Sequence, residues 1–179
     1  MNMFVWVGID VDSQYGEIKD VVKRVEKEVG IDHSIFTLPW HVSLKISFKV
    51  DERDFEGIEG TITDIYNGVE PFEIAVKGIE HHDNICWVRM CENHRLNALS
   101  EVLNHTLRDK HNIPLHEYDL DFMFHTTLFM DDDLDKVARC YDMVKDAPVP
   151  DKLVAKRFVI GLSEGGALGT YKIFKTIEK

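Results

Sequence analysis

The sequence predicts an α+β fold of two lobes, in which a β-α-β-α-β unit is run through twice and one further strand closes the chain. Three observations carry this expectation. Residues 41–50 and 119–130 alternate apolar and polar side chains over a strand's length, four other stretches repeat apolar residues at helical spacing, and the order of strands and helices starts again after residue 84.

Taken in order, residues 3–9 form an apolar run short enough for a buried strand. Asp12 and Ser13 offer N-caps to a helix carrying Ile18, Val21, Val22, Val25 and Val29, and Gly30 stops it. The alternation over 41–50 places Val42, Leu44, Ile46, Phe48 and Val50 on a core face and His41, Ser43, Lys45, Ser47 and Lys49 on the other. A weaker helix with Phe55, Ile58, Ile62, Ile65 and Tyr66 follows, Asn67-Gly68 turns the chain, and Phe72, Ile74 and Val76 mark a third strand.

Beyond the polar turn His81-His82-Asp83-Asn84, a strand over 85–90 leads into a helix carrying Leu96, Leu99, Val102, Leu103 and Leu107. The 119–130 alternation sets Leu120, Phe122, Phe124, Leu128 and Met130 opposite Asp121, Met123, His125, Thr127 and Phe129, with Thr126 the one polar residue on the apolar face. Asp131-Asp132-Asp133 caps a helix with Leu134, Val137, Tyr141 and Val144, since carboxylates complement a helix N-terminus. Strands over 153–160 and 171–177, joined by Gly165-Gly166-Ala167-Leu168-Gly169, end the chain. The repeat thus covers about 3–80 and 84–177 of one bilobal domain, 1–179, because no linker-like stretch interrupts it.

Composition narrows the function classes. With 44% hydrophobic and 30% charged residues the chain has the makeup of a globular protein with a real core. No apolar run approaches the roughly 20 residues of a membrane span, and Met1-Asn2-Met3-Phe4-Val5-Trp6 lacks the charged start of a signal peptide, so no membrane partner and a cytoplasmic location are expected. Cys86, Cys91 and Cys140 match no CxxC pattern, which disfavours a disulfide framework or a structural zinc site. A net charge of -11 disfavours gripping long nucleic-acid tracts, because that binding comes from neutralising phosphates. Small anions and chain ends remain open as ligands, and the six Lys/Arg against three acids in 151–179 form a modest basic edge.

The chemistry lies in two tetrapeptides 84 positions apart, His41-Val42-Ser43-Leu44 and His125-Thr126-Thr127-Leu128. On a strand, positions i and i+2 share a face, so each offers an imidazole beside a hydroxyl on its non-core side. Should the halves pack as mates, two histidines and two hydroxyls converge. Phosphodiester cleavage needs that set: one group to take a proton from the nucleophile, one to protonate the leaving oxygen, and donors for the phosphoryl oxygens. Imidazoles can do both proton tasks near neutrality, Ser43 and Thr127 can donate, and Lys45 on the same predicted face can add charge. Trp40 and Phe129 are candidate platforms for a nucleobase.

The motif pair resembles that of the two-histidine (2H) phosphoesterase superfamily and, within it, the LigT-like or 2'-5' RNA ligase-like proteins; the likeness extends to the opening strand, the Pro-Phe-Glu-Ile stretch at 71–74 and the closing hairpin near Tyr171. The resemblance implies two mainly antiparallel sheets facing a central cleft with helices outside. It also implies metal-independent, cofactor-free hydrolysis of a 2',3'-cyclic phosphate on a nucleotide or RNA end, or of a related 2'-5' linkage. By the same resemblance His41 is the proton donor and His125 the proton acceptor. The sequence departs from the pattern at Phe124, where proline often precedes the second histidine. Two other readings compete: a non-catalytic nucleotide-binding module using the same cleft, and a metalloprotein built on His33, His81, His82, His94, His105, His111 and His116. The last is disfavoured because these histidines show no metal-ligand spacing such as HExxH.

Overall fold

The computed structural model describes residues 2–32 and 36–179, and in it the alternating stretches pair into two antiparallel sheets of four strands. One sheet has the order β2-β1-β7-β8, from β1 (Asn2–Asp10), β2 (His41–Asp51), β7 (Arg157–Ser163) and β8 (Lys172–Glu178). The other has the order β5-β4-β3-β6, from β3 (Phe72–His82), β4 (Ile85–Met90), β5 (His125–Met130) and β6 (Lys152–Ala155). Four helices, α1 (Ile18–Val29), α2 (Phe55–Asn67), α3 (His94–His111) and α4 (Leu134–Val144), bury their apolar stripes against these sheets and each other. Among the described residues no helix is long and apolar enough to cross a membrane.

The lobes are not the two halves of the chain. β3, from the first half, pairs with β4 of the second, and β7, from the second half, pairs with β1. The stretch 153–160, expected as one strand, is therefore split at Lys156: β6 adds to β3 in one sheet and β7 to β1 in the other. Helices cross as well, α1 packing on α4 and α3 on β2. This exchange ties the lobes by the backbone itself.

Three further boundaries differ from expectation. α1 begins at Ile18 with no side-chain cap, because Asp12 sits in a short 3-10 turn and accepts from the backbone N–H of Trp40 at 3.1 Å. β3 runs on through His81 and His82 instead of ending near Val76. The predicted 119–130 strand is regular only from His125, since Asp119 closes a 3-10 turn and Leu120 is exposed.

The unbroken alternation expected in both motif strands is also corrected, by the same feature twice. On β2, Ser43 pairs with Gly8 and Lys45 with Val7, so Leu44 is an extra residue; on β5, Thr127 pairs with Trp87 and Phe129 with Cys86, so Leu128 is extra. Each is a β-bulge directly after the hydroxyl residue, and each turns the fourth side chain beyond its histidine into the core. Lys45 and Phe129 are consequently buried, while Ile46 and Met130 face the cleft.

Lys45 is held there by ions and hydrogen bonds rather than by its hydrocarbon stem alone. Its ammonium lies 2.5 Å from Asp119 and 2.8 Å from Asn104 Oδ1, and the Asp119 carboxylate also accepts from the backbone N–H groups of Ile46 and His116. Both side chains of the pair are almost fully removed from water, at 1% and 0% exposure. Burying two charges is tolerable only when every polar atom is met, and deleting one partner strands the other. We expect Asp119→Ala to cost about 3–5 kcal/mol in chemical denaturation, and Lys45→Met with Asp119→Leu together to cost less than the Asp119→Ala change alone.

Candidate active site

His41 opens β2 and His125 opens β5, and the two approaches are built alike. The carbonyl of the residue before each histidine, Trp40 or Phe124, accepts from the backbone N–H of Val11 or Met90 at 2.9 and 3.0 Å. The carbonyl one residue earlier turns to the ring instead: His41 Nδ1 lies 2.7 Å from Pro39 O and His125 Nδ1 lies 2.6 Å from Met123 O. A carbonyl oxygen can only accept, so both Nδ1 atoms carry the proton, and in each neutral ring Nε2 is left with its lone pair.

Both rings, with Ser43 and Thr127, line one cleft of about 350 Å³. Each ring rests on a tryptophan from the neighbouring strand: Trp6 and His41 have centroids 4.4 Å apart, and so have Trp87 and His125. Trp6 can meet His41 edge-on, at an interplanar angle of 64°, because its neighbours are glycines. A Cβ on Gly8 would collide with the Trp6 ring, and one on Gly161 would come within 2.9 Å of it. So placed, the indole N–H of Trp6 donates to Ser43 Oγ at 2.9 Å, which fills a lone pair of that oxygen and leaves its O–H to point elsewhere. The hydroxyl of Thr127 makes no hydrogen bond among the described residues, and the cleft is open to both as donors. Tyr171 closes one wall, hydrogen-bonded to Ser47.

Burial lowers the proton affinity of both imidazoles, since a charge there would lose water. It takes His41 down to about 4, and it lowers His125 too. The rings are close enough that a positive charge on His125 further disfavours one on His41. Without a ligand the cleft therefore holds two neutral imidazoles near neutral pH, each with an acceptor nitrogen free. An anion placed between them reverses the balance, because opposite charge favours the imidazolium.

The other residues singled out in the sequence fall as follows. Lys45 borders the cleft but has its ammonium committed to Asp119 and Asn104, and Phe129, expected on the cleft side, is fully buried in the core. Trp40 lines the cleft, with Tyr15 edge-on at 4.9 Å and Lys19 over the ring at 5.9 Å. Much of the basic edge of 151–179 is spent on ion pairs, Lys152 with Glu73, Arg157 with Asp10 and Lys175 with Glu59. Among the described residues no three metal-ligating side chains come together; His33 lies outside them.

No protein-family model matches this sequence, and no curated protein does. Solved structures match over nearly the whole chain. E. coli LigT complexed with 3'-AMP is 15% identical over 99% of this chain and 98% of that one, with a TM-score of 0.63. The chain has the LigT fold. The TT0787 protein of Thermus thermophilus (15% identical, 99% and 97% covered, TM-score 0.58) and Kluyveromyces marxianus Usb1 (14%, 99% and 98%, TM-score 0.52) share it.

Reasoning on the sequence missed Trp6, Trp87, Gly8 and Gly161. A signal existed: Val5-Trp6-Val7 and Cys86-Trp87-Val88 each place one tryptophan in an apolar strand, and those strands, β1 and β4, pair with the strands of His41 and His125. We expect Gly8→Ala to lift Trp6 from its seat, seen as a shift in tryptophan emission and a loss of about 1–3 kcal/mol in thermal unfolding.

Proposed function

We propose that this chain is a two-histidine phosphodiesterase that hydrolyses a 2',3'-cyclic phosphate, on a nucleotide or an RNA end, without a metal ion. The observation that carries the reading is the matched construction of the cleft: two imidazoles, each fixed through Nδ1 and each presenting Nε2, with a hydroxyl two residues on. The LigT fold supports it, and the 3'-nucleotide in the LigT complex supports a nucleotide ligand.

The chemistry follows from the groups present. The phosphodiester anion enters between the rings and restores a proton to one of them, His41. Neutral His125 takes a proton at Nε2 from water as its oxygen bonds to phosphorus, and His41 gives its Nε2 proton to the departing ribose oxygen, leaving a monoester. Ser43 and Thr127 donate to the non-bridging oxygens, whose charge grows in the transition state. These groups cover every role a metal would otherwise fill.

Two expectations test this. Purified protein should turn over 2',3'-cyclic nucleotides in the presence of a chelator, with the product identified by phosphorus NMR, and His41→Ala or His125→Ala should each lose roughly 10²-fold or more. Tight binding of the same compounds with no turnover would instead favour the non-catalytic module, and turnover that EDTA abolishes and a divalent ion restores would overturn the metal-free reading. The pH profile carries a sign. Falling pH protonates both rings and removes the base, while rising pH leaves both neutral and removes the acid. Because burial lowers both rings, kcat/KM, which reports the free enzyme, should peak on the acid side of the ordinary histidine value of roughly 6.5. The kcat profile, which reports the complex, should peak at higher pH, since the bound anion favours the imidazolium.

A further inference from the structure

The two rings are held alike, each through Nδ1 and each against a tryptophan, yet acid–base chemistry needs them to differ. The difference lies one strand behind the histidines. The cross-strand partner of His41 is Asp10 on β1, and the cross-strand partner of His125 is Arg89 on β4, so equivalent places in the two sheets hold opposite charges. Directly paired residues of an antiparallel ladder share a face, which puts each charge beside its ring.

We propose that Asp10 and Arg89 are positioning residues that give the cleft its direction, Asp10 favouring the proton on His41 and Arg89 keeping it off His125. The inference rests on the acid–base reading above and deepens it, since the assignment of donor and acceptor then follows from charges fixed in the sheets.

The charged groups around each ring bear this out. His41 faces Asp10 from β1 and His125 from β5; behind Asp10 lies Arg157 of β7, whose Nε is 2.8 Å from the carboxylate and whose other end reaches Glu178 of β8. His125 faces Arg89 from β4 and His41 from β2; beside Arg89 is Glu80 of β3, itself paired to Lys77 at 2.7 Å. Lys45, farther along β2, is neutralised by Asp119. Asp10 is thus partly offset by Arg157, whereas Arg89 keeps Nη1 buried with no hydrogen-bond partner among the described residues. Both biases have the sign the roles require, negative charge beside the acid and positive charge beside the base.

Burial by itself works against this order, because His41 is the more enclosed ring. A substrate filling the cleft removes water from both rings and so narrows that difference, and the flanking charges, which do not change on binding, then set the order.

The test uses ring titrations of the two histidines by ¹⁵N NMR in the full-length protein, assigned with His41→Gln and His125→Gln, with and without saturating inorganic phosphate. Arg89→Gln should raise the His125 midpoint with little effect on His41. Asp10→Asn should lower the His41 midpoint, and Arg157→Gln should raise it. The last two variants break one ion pair from its two ends, so structural damage alone would move His41 the same way in both; charge moves it in opposite directions. Asp10→Glu and Arg89→Lys should restore the wild-type midpoints. The kcat/KM of Asp10→Asn should fall by roughly threefold to tenfold at pH 7, where the fraction of free enzyme carrying the proton on His41 limits the rate. Equal-sign shifts for Asp10→Asn and Arg157→Gln, or an unmoved His125 in Arg89→Gln, would overturn the proposal. Midpoints that shift as stated in a protein that turns over no cyclic phosphate would leave the polarity intact and remove the function.

Discussion

Each histidine of the cleft gives its Nδ1 proton to a carbonyl two residues earlier in its own chain, Pro39 O for His41 and Met123 O for His125. The geometry of the site depends on this bond. It fixes the tautomer, since the partner can only accept, and it fixes the ring's rotation, since the carbonyl belongs to a backbone already held by Val11 or Met90. What remains is one nitrogen per ring, and both rings line the same cleft of about 350 Å³. A side-chain partner would have had to be ordered in its turn; a backbone one is ordered by the strand that follows it.

The rest of the cleft is arranged around those two nitrogens. The bulge after each hydroxyl residue ends the polar face where the motif ends, so that an apolar side chain, Ile46 or Met130, comes next into the cleft and Lys45 and Phe129 turn to the core. Trp6 and Trp87 floor the rings, and the exchange of β3 and β7 between sheets holds the two floors in one body. Lys45 binds the 3-10 turn at Glu117–Asp119 to β2, which places Phe122 on the cleft wall. Low proton affinity in the unliganded site is the natural result of this enclosure, and it makes an anionic ligand part of the protonation equilibrium.

Much of this was legible in the letters. Period-2 alternation located β2 and β5 and put His41 with Ser43 and His125 with Thr127 on the cleft side, and the helical stripes located all four helices. The failures share a physical cause, which is that pairing partners distant in sequence override local pattern. Asp119 looked like the start of a strand until a buried ammonium from β2 claimed it, and 153–160 looked like one strand although its two parts serve different sheets. The burial of Lys45 and Phe129 went unforeseen because a bulge shows only in the register between two strands, and periodicity within one strand carries no trace of it. Gly8 and Gly161 carry no pattern at all, since their role is the space they leave for Trp6.

The mechanism requires both Nε2 atoms to converge on one phosphoryl group. A crystal structure with inorganic phosphate bound measures that directly. It should place the phosphorus between the rings, with an oxygen within hydrogen-bonding reach of each Nε2 and the hydroxyls of Ser43 and Thr127 on the remaining oxygens. Phosphate touching one histidine alone, or rings turned to present Nδ1 to the anion, would contradict it.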